Sequence, residues 1–465
     1  MTALNADLTV DVVVAGGGMA GLTAASYVAR HGRAVLLVDK ATDIGGTSAV
    51  SGGVLWTAPT FKEWRERSPR GIESLGRRLV TDFPKVIEWL TGLGIEIETP
   101  VTVHDFAPGL PFDILGYFSR AITIIESAGG LVMRGAVATR LLTDGRRSVV
   151  GTVVADSGGT EVQVAASAVV LATGGSQGSA DARARFIHPN ADSIPVRANP
   201  YSVGDGLRMA TEVGAGTHSL SHGFYGHLIC SPLDRFQPQD FNPLYLHFSH
   251  LCVMVNIKGE RFTPERAGDH FNAQQLVPQP QSRGALIFDD NVYRSAVVTA
   301  NVERFVPYDK FELARSRGAH TAVAQTVEEL AARVAQWGFD ADVIVRSVES
   351  FNDGAPDPIP WEFPVRTELV PRVATPPFYA MEVAPAVTFA HSGIRIDDHA
   401  RVLRDDDTVV PGLYACGVDA GGVYDRGYCG GLAMGAVFGI AAAKDILGVL
   451  LSAAHACSVQ RIAGG

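Results

Sequence analysis

Residues 10–40 read VDVVVAGGGMAGLTAASYVARHGRAVLLVDK. The run DVVVA has the length and β-branched content of a strand buried on both faces. Glycines stop it, apolar positions at helical spacing follow to Arg30, and His31-Gly32 ends them. A second apolar run, AVLLVD, has the same buried-strand character. Strand, turn, helix and strand make a βαβ unit. Residues 73–92 and 113–129 each predict an amphipathic helix, the second stopping at Gly129-Gly130. Residues 147–175 alternate with a period of two between turn residues. They predict a β-meander that ends in a buried strand, AVVLATGG.

The pattern changes after about residue 190. From there to about 375 aromatics, histidines and prolines are frequent, with Pro-rich stretches at 276–284 and 353–360 and a helical segment, TVEELAARVAQWGF. From Phe378 apolar strand patterns return: YAMEVAPAV, GIRID, ARVLR and VPGLYACG. The expectation is an α/β protein whose first domain, residues 1–190 and 378–465, is interrupted by an inserted α+β domain, residues 191–377. There is no internal repeat and no low-complexity tract.

Composition narrows the function classes. The net charge of −10 comes without a basic stripe, which argues against nucleic acid and anionic membranes as partners. Five scattered cysteines, with no CxxC or CxxCH, argue against a disulfide framework, zinc, haem attachment and iron–sulfur clusters. The start, MTALNADLTVDVVV, has acids and no basic segment, so no secretion signal is predicted and a cytoplasmic location is expected. The most apolar run, GAVFGIAAAKDILGVLL, is broken by Lys444 and Asp445, and no membrane span is predicted.

The chemistry begins at Gly16-Gly17-Gly18-Met19-Ala20-Gly21, which satisfies G-x-G-x-x-G between strand and helix. Gly16 suits the tight turn, Gly18 the approach of a pyrophosphate, and Gly21 close helix–strand packing. Asp39 ends the second strand eighteen residues after Gly21, where a carboxylate accepts from ribose hydroxyls. This pattern serves NAD and FAD alike.

Further stretches distinguish them. Ile44-Gly45-Gly46-Thr47-Ser48 and Ser51-Gly52-Gly53 follow the second strand. Leu171-Ala172-Thr173-Gly174-Gly175 and Pro411-Gly412-Leu413-Tyr414-Ala415-Cys416-Gly417 each end a later one. The set resembles the FAD-binding domain of the fumarate reductase/succinate dehydrogenase flavoprotein family. Gly204-Asp205-Gly206-Leu207-Arg208-Met209-Ala210 and Val255-Asn256-Ile257-Lys258-Gly259-Glu260-Arg261-Phe262 extend the likeness over nearly the whole chain. It implies a Rossmann-type FAD-binding domain, a parallel sheet with a β-meander, and an inserted domain capping the flavin. Besides Gly16, Gly18, Met19, Ala20, Gly21, Asp39 and Lys40, it implies FAD contacts from Gly45, Gly46, Thr47, Ser48, Ser51, Gly52, Gly53 and Ala138. Further contacts are Ala172, Thr173, Gly174, Gly175, Asp205, Gly417, Val418, Gly431, Leu432 and Ala433. No histidine follows Gly46, so the flavin is expected to be non-covalent; no second G-x-G-x-x-G opens a nicotinamide domain.

Residues 421–435, GGVYDRGYCGGLAMG, precede a final helix. By the resemblance this loop runs past the isoalloxazine. Gly427, Gly430 and Gly431 would admit backbone N–H groups to the ring, and a helix starting near Leu432 would offer its positive end to reduced flavin. Around a dicarboxylate the family places cations that this chain lacks. Asp269 stands at the arginine acid, Phe389 at a histidine with His391 two residues on, and Tyr428 at a carboxylate-binding arginine. Buried dicarboxylate charge would then go unpaired.

Tyr424, followed by glycines and Gly-Leu-Ala-Met, resembles the ketosteroid Δ1-dehydrogenase branch, where a tyrosine hydroxyl and a glycine N–H grip the ketone. Tyr424 or Tyr428 is the expected polarising donor, the other packing under the flavin. Tyr225, His222 and His227, in Ser219-Leu220-Ser221-His222-Gly223-Phe224-Tyr225-Gly226-His227, are candidates for proton base or substrate ligand. Arg266 and His270 suit either a carboxylate or an ion pair at the hinge. The expected activity is an FAD-dependent desaturation α,β to a ketone in a steroid or a small cyclic ketone such as an oxocyclohexanecarboxylate. A quinone or another diffusible acceptor would take the electrons. Reduction of an activated alkene and non-catalytic flavin binding are the alternatives.

Overall fold

The computed structural model describes residues 6–103, 107–218, 223–299, 306–358 and 371–463, with side chains to 452. The run DVVVA lies in the strand Leu8–Ala15, where Val12, Val13 and Val14 are fully buried. This strand pairs in parallel with Val35–Asp39 on one side and Glu161–Leu171 on the other. Val409–Ala415 continues the sheet beyond Glu161–Leu171, and Leu131–Arg134 continues it beyond Val35–Asp39. The hairpin Val137–Thr143 and Val149–Ala155 adds antiparallel to the first half of Glu161–Leu171. That long strand therefore ends the meander and crosses the parallel core.

Strand order reverses on either side of Leu8–Ala15, and the registers Ala15↔Leu171 and Ala415↔Leu171 bring the carboxyl ends to one edge. A crevice opens at such a reversal. The final helix, Gly431–Ala463, packs along Met19–Arg30. At Gly439 a Cβ would lie 2.7 Å from the Ala20 carbonyl oxygen, so only glycine allows this approach. The expectation that no segment reaches membrane length needs correction. Gly431–Ser452 is long and apolar enough, although 61% of its most apolar window is buried. Lys444 and Asp445 break the apolar run in sequence without lowering its average enough.

The chain forms two compact units, one of Met1–Ser179, Asn199–His222 and Ala390–Gly465, the other of Ala180–Ala198 and Gly223–Phe389. The second holds an antiparallel sheet in the order Phe224–Cys230, Phe378–Ala390, Gly284–Asp289, Val253–Asn256, with Thr321–Ala324 also on Phe378–Ala390. The helices Val327–Val334 and Ala341–Asn352 bury Leu330, Val334, Ile344 and Val348 in a core shared with Val253 and Ile287. These units depart from the expected cuts at 190 and 378. The strand Phe378–Ala390 finds its partners in the second sheet, and residues 199–222 join the first unit.

Candidate functional site

The crevice of the first unit is a groove with about 840 Å³ of atom-free space, part of it open to solvent. Gly16 turns the chain into it at φ +107°, where a Cβ would sit 2.1 Å from the Ala172 carbonyl oxygen. A Cβ on Gly18 would sit in ordinary van der Waals contact, 3.7 Å from Gly45 O and Ser48 Oγ. Gly18 has no side chain to cap the helix; Met19 N–H donates to Ser48 Oγ at 3.3 Å, and Gly18, Met19 and Ala20 at the positive dipole end line the groove. Gly21 lies outside the lining: its Cβ would be 1.8 Å from the Gly16 carbonyl oxygen, the tight packing expected of it. Asp39 accepts from Gly17 N–H at 2.7 Å and Ala41 N–H at 2.8 Å, which fixes the loop beneath it. Lys40 and Asp205, both lining the groove, pair at 2.5 Å.

On the other wall, the Asp419 carboxylate accepts from the N–H and hydroxyl of Thr173 and from Gly175 N–H at 3.0 Å. Thr173 Oγ1 also accepts Gly206 N–H at 3.0 Å. Asp419 is 2% exposed, and its burial raises its pKa while these bonds pull it down. The motif reading missed this residue; an acid two residues after Gly417 was the available signal.

Most expected cofactor residues line the groove: Gly16, Gly18, Met19, Ala20, Asp39, Lys40, Gly46, Thr47, Ser48, Ala138, Ala172, Thr173, Gly174, Asp205, Gly417, Val418 and Gly431. Asn199, Tyr201, Ser202 and Gly435 line it too and were missed, because the segment 199–205 carries no glycine motif of its own before Gly204. Gly45, Ser51, Gly52, Gly53, Gly175, Leu432 and Ala433 are outside its lining. Gly45 and Gly53 turn the chain at φ +133° and +63°; Ser51 bonds back to Ser48 O at 2.7 Å. Gly175 serves Asp419, and Ala433 is buried in the helix.

The loop before the last helix is tightly built. Tyr424, 2% exposed, donates its hydroxyl to the carbonyls of Cys429 and Gly430, at 2.9 and 3.0 Å. Tyr428 accepts Gly431 N–H at 2.7 Å and meets Trp56 edge-on at 5.3 Å. Gly430 has φ +88°, and a Cβ there would lie 1.8 Å from the Trp56 carbonyl oxygen. The Gly427 N–H goes to Arg67 O at 2.9 Å. The N–H groups of Gly427 and Gly431, expected to turn toward the flavin, thus have partners within the protein. His391 donates from Nδ1 to Asp425 O at 2.6 Å, beneath Tyr424 at 5.7 Å between rings. Its complete burial pushes its pKa down to about 4, so the ring is neutral.

The second unit gathers other candidates. Tyr225 and His227 lie on one face of Phe224–Cys230 by the period of two. His227 Nδ1 is 2.6 Å from Asp269 Oδ2, and Nε2 is 2.9 Å from the Tyr225 hydroxyl. Tyr245 donates to the other Asp269 oxygen at 3.3 Å. Burial, then the Arg197 charge, pushes the His227 pKa well down. His270 stacks on Phe271, and Arg266 pairs with Asp357 at 3.1 Å. His222 lies outside the described residues. Among the described residues no group of three or more His, Cys, Asp or Glu side chains could hold a metal ion.

Residues 116–431 match the description of an FAD binding domain, and residues 11–218 that of an FAD dependent oxidoreductase. A probable fumarate reductase of Shewanella frigidimarina is 26% identical, over 94% of this chain and 76% of its own length. The 4-oxocyclohexanecarboxylate 2-dehydrogenase of Sinomonas cyclohexanicum is also 26% identical, over 91% of this chain and 89% of its own. Among solved structures, a 3-ketosteroid-Δ4-(5α)-dehydrogenase of Rhodococcus jostii shares the fold. Its TM-score is 0.74 at 20% identity, covering 96% of this chain and 98% of that one.

Proposed function

The chain belongs to the FAD binding domain family, and on that premise we propose a dehydrogenase that introduces a C=C bond α,β to a ketone in a cyclic substrate. At the coarser level it is an FAD-dependent oxidoreductase of CH–CH and C=C groups. The groove suits the cofactor: the glycine turn Gly16–Gly18 and the helix start behind it, which line the groove, would receive the pyrophosphate, and Asp39 the ribose. The flavin supplies the hydride acceptor when bound.

The observation that carries the ketone reading is the bond from Gly431 N–H to the Tyr428 oxygen at 2.7 Å. An N–H at the positive end of a helix draws electron density from the phenol oxygen, and the phenol proton becomes a stronger donor. Such a neutral donor suits the oxygen of a developing enolate. A dicarboxylate would instead ask for the cations that Tyr428, Phe389 and Asp269 replace. Tyr424 holds the loop through the carbonyls of Cys429 and Gly430. The relative acting on 4-oxocyclohexanecarboxylate supports a cyclic ketone, and a quinone or other diffusible acceptor would reoxidise the enzyme. A second reading, alkene reduction, is favoured by the likeness to a fumarate reductase.

Anaerobic titration separates the two. Bleaching of the oxidised flavin band by a saturated ketone, steroidal or monocyclic, is expected. Failure of every ketone, with reoxidation of dithionite-reduced enzyme by an enone or enoate, would transfer the assignment to a reductase. Tyr428→Phe should lower kcat by roughly 10²–10³-fold with flavin content unchanged.

A further inference from the structure

We propose that the first unit carries a second ligand site, remote from the flavin groove, for a cationic amphiphile: an apolar chain or ring ending in an ammonium group. The place is a groove between the strand Val409–Ala415 and the later turns of the final helix, with about 670 Å³ of atom-free space, part of it open to solvent. That is the size of a small-molecule site. Val409, Pro411 and Leu413 line it from the strand, and Ile446, Val449 and Leu450 from the helix. Leu413 and Ile446 are buried, whereas Val449 is 57% exposed. An apolar body laid between them leaves water for aliphatic side chains on both sides. The place is separate from the cofactor's. Gly435 is the last helix residue to line the flavin groove, and Asp445 stands ten residues on, about 15 Å along the axis.

The polar end decides the head group. Asp445, Arg401 and Tyr414 line the groove together. Arg401 is already matched: its Nε and Nη2 both reach Asp397 Oδ2, at 2.7 and 2.6 Å. Asp445 is not. Its Oδ2 accepts from the Tyr414 hydroxyl at 2.8 Å, a neutral donor. Its Oδ1 has His399 Nδ1 at 3.7 Å, beyond hydrogen-bond reach. Lys444, next in the chain, is turned to the Tyr27 ring, 6.0 Å from the centroid. Among the described residues no arginine or lysine nitrogen comes within 4.0 Å of the Asp445 carboxylate. With its side chain 16% exposed, this carboxylate is poorly hydrated and lacks a cation. An ammonium brings three donors and the missing charge. A carboxylate head would meet Asp445 as a like charge, and a hydroxyl would supply a hydrogen bond without the charge. The site is independent of the substrate at the flavin, since none of these residues lines the flavin groove.

The test is calorimetric titration of the holoenzyme at pH 8 with hexylamine, octylamine, octanol and octanoate, each below its micelle threshold. Octylamine should bind once per chain, roughly tenfold tighter than octanol, with octanoate weaker than both. From hexylamine to octylamine the affinity should rise by roughly two- to fourfold per CH₂. Asp445→Asn keeps an oxygen for the Tyr414 hydroxyl and should bring octylamine down to the affinity of octanol, with flavin content and spectrum unchanged. Val449→Trp, at an exposed position that tolerates a larger side chain, should fill the groove and abolish binding of both. Octylamine binding no tighter than octanol, or equal in wild type and Asp445→Asn, would overturn the assignment of the head group. Binding undiminished in Val449→Trp would place the amine elsewhere and overturn the site. Sedimentation supplies the last check. A dimer of wild type that Val449→Trp splits would give the groove to a second copy of the chain and overturn the proposal; a monomer supports it.

Discussion

Replacing Asp419 with asparagine isolates the knot that shapes one wall of the groove. The carboxylate accepts from two backbone N–H groups, those of Thr173 and Gly175, one on each oxygen, and also from the Thr173 hydroxyl. Asparagine keeps the volume but offers one oxygen and one NH₂. In either orientation a buried backbone N–H faces the amide nitrogen and loses its acceptor. One such orphan costs about 1–3 kcal/mol. Two smaller effects oppose each other. The surviving bonds lose their charge assistance, while the desolvation that raises the Asp419 pKa is relieved. The expected loss is therefore about 1–3 kcal/mol in urea unfolding of the apoprotein. FAD affinity should fall as well, because Thr173, Gly174 and Val418 line the groove. Thr173→Ser, which keeps both backbone bonds and the hydroxyl that serves Asp419 and Gly206 N–H, should cost less than Asp419→Asn. An Asp419→Asn protein within about 0.5 kcal/mol of wild type, a change no larger than an ordinary surface substitution makes, would refute the account.

Three other outcomes follow from the same structure. Gly430→Ala must accept φ +88° and a Cβ 1.8 Å from the Trp56 carbonyl oxygen, so it should lose about 2–4 kcal/mol and bind less flavin, as read by urea midpoint and flavin content. Tyr424→Phe removes the buried donor of the Cys429 carbonyl, while Gly430 O keeps Met434 N–H at 3.1 Å; it should cost about 1–2 kcal/mol of stability in calorimetry, with less effect on kcat than Tyr428→Phe. His391, with its pKa lowered to about 4, binds its proton more weakly folded than unfolded, so its stability contribution is complete above about pH 6.5 and is lost as pH falls toward 4. The urea midpoint of His391→Asn should accordingly fall less between pH 7 and pH 4 than that of wild type, a difference of roughly 3 kcal/mol in unfolding free energy.

The sequence by itself determined the βαβ unit, the glycine turn at Gly16, the meander and the cofactor class. Each is local: a buried strand needs a run of apolar β-branched residues, and a close backbone approach needs glycine. The helices at 73–92 and 113–129 were legible for the same reason and appear as Glu73–Gly92 and Ile114–Ser127. What depended on partners distant in the chain was not legible. The strand Phe378–Ala390 reads like any apolar strand, and only hydrogen bonding to Gly284–Asp289 and Thr321–Ala324 assigned it to the second unit. Two tyrosines four apart look equivalent in sequence; the fold turned Tyr424 onto carbonyl acceptors and Tyr428 under a helix N–H, which divides their roles. Asp419 and Asp269 were likewise ordinary acids until the chain brought donors 246 and 42 positions away to their oxygens. A carboxylate's chemistry is set by what it accepts from, and the tertiary structure decides that.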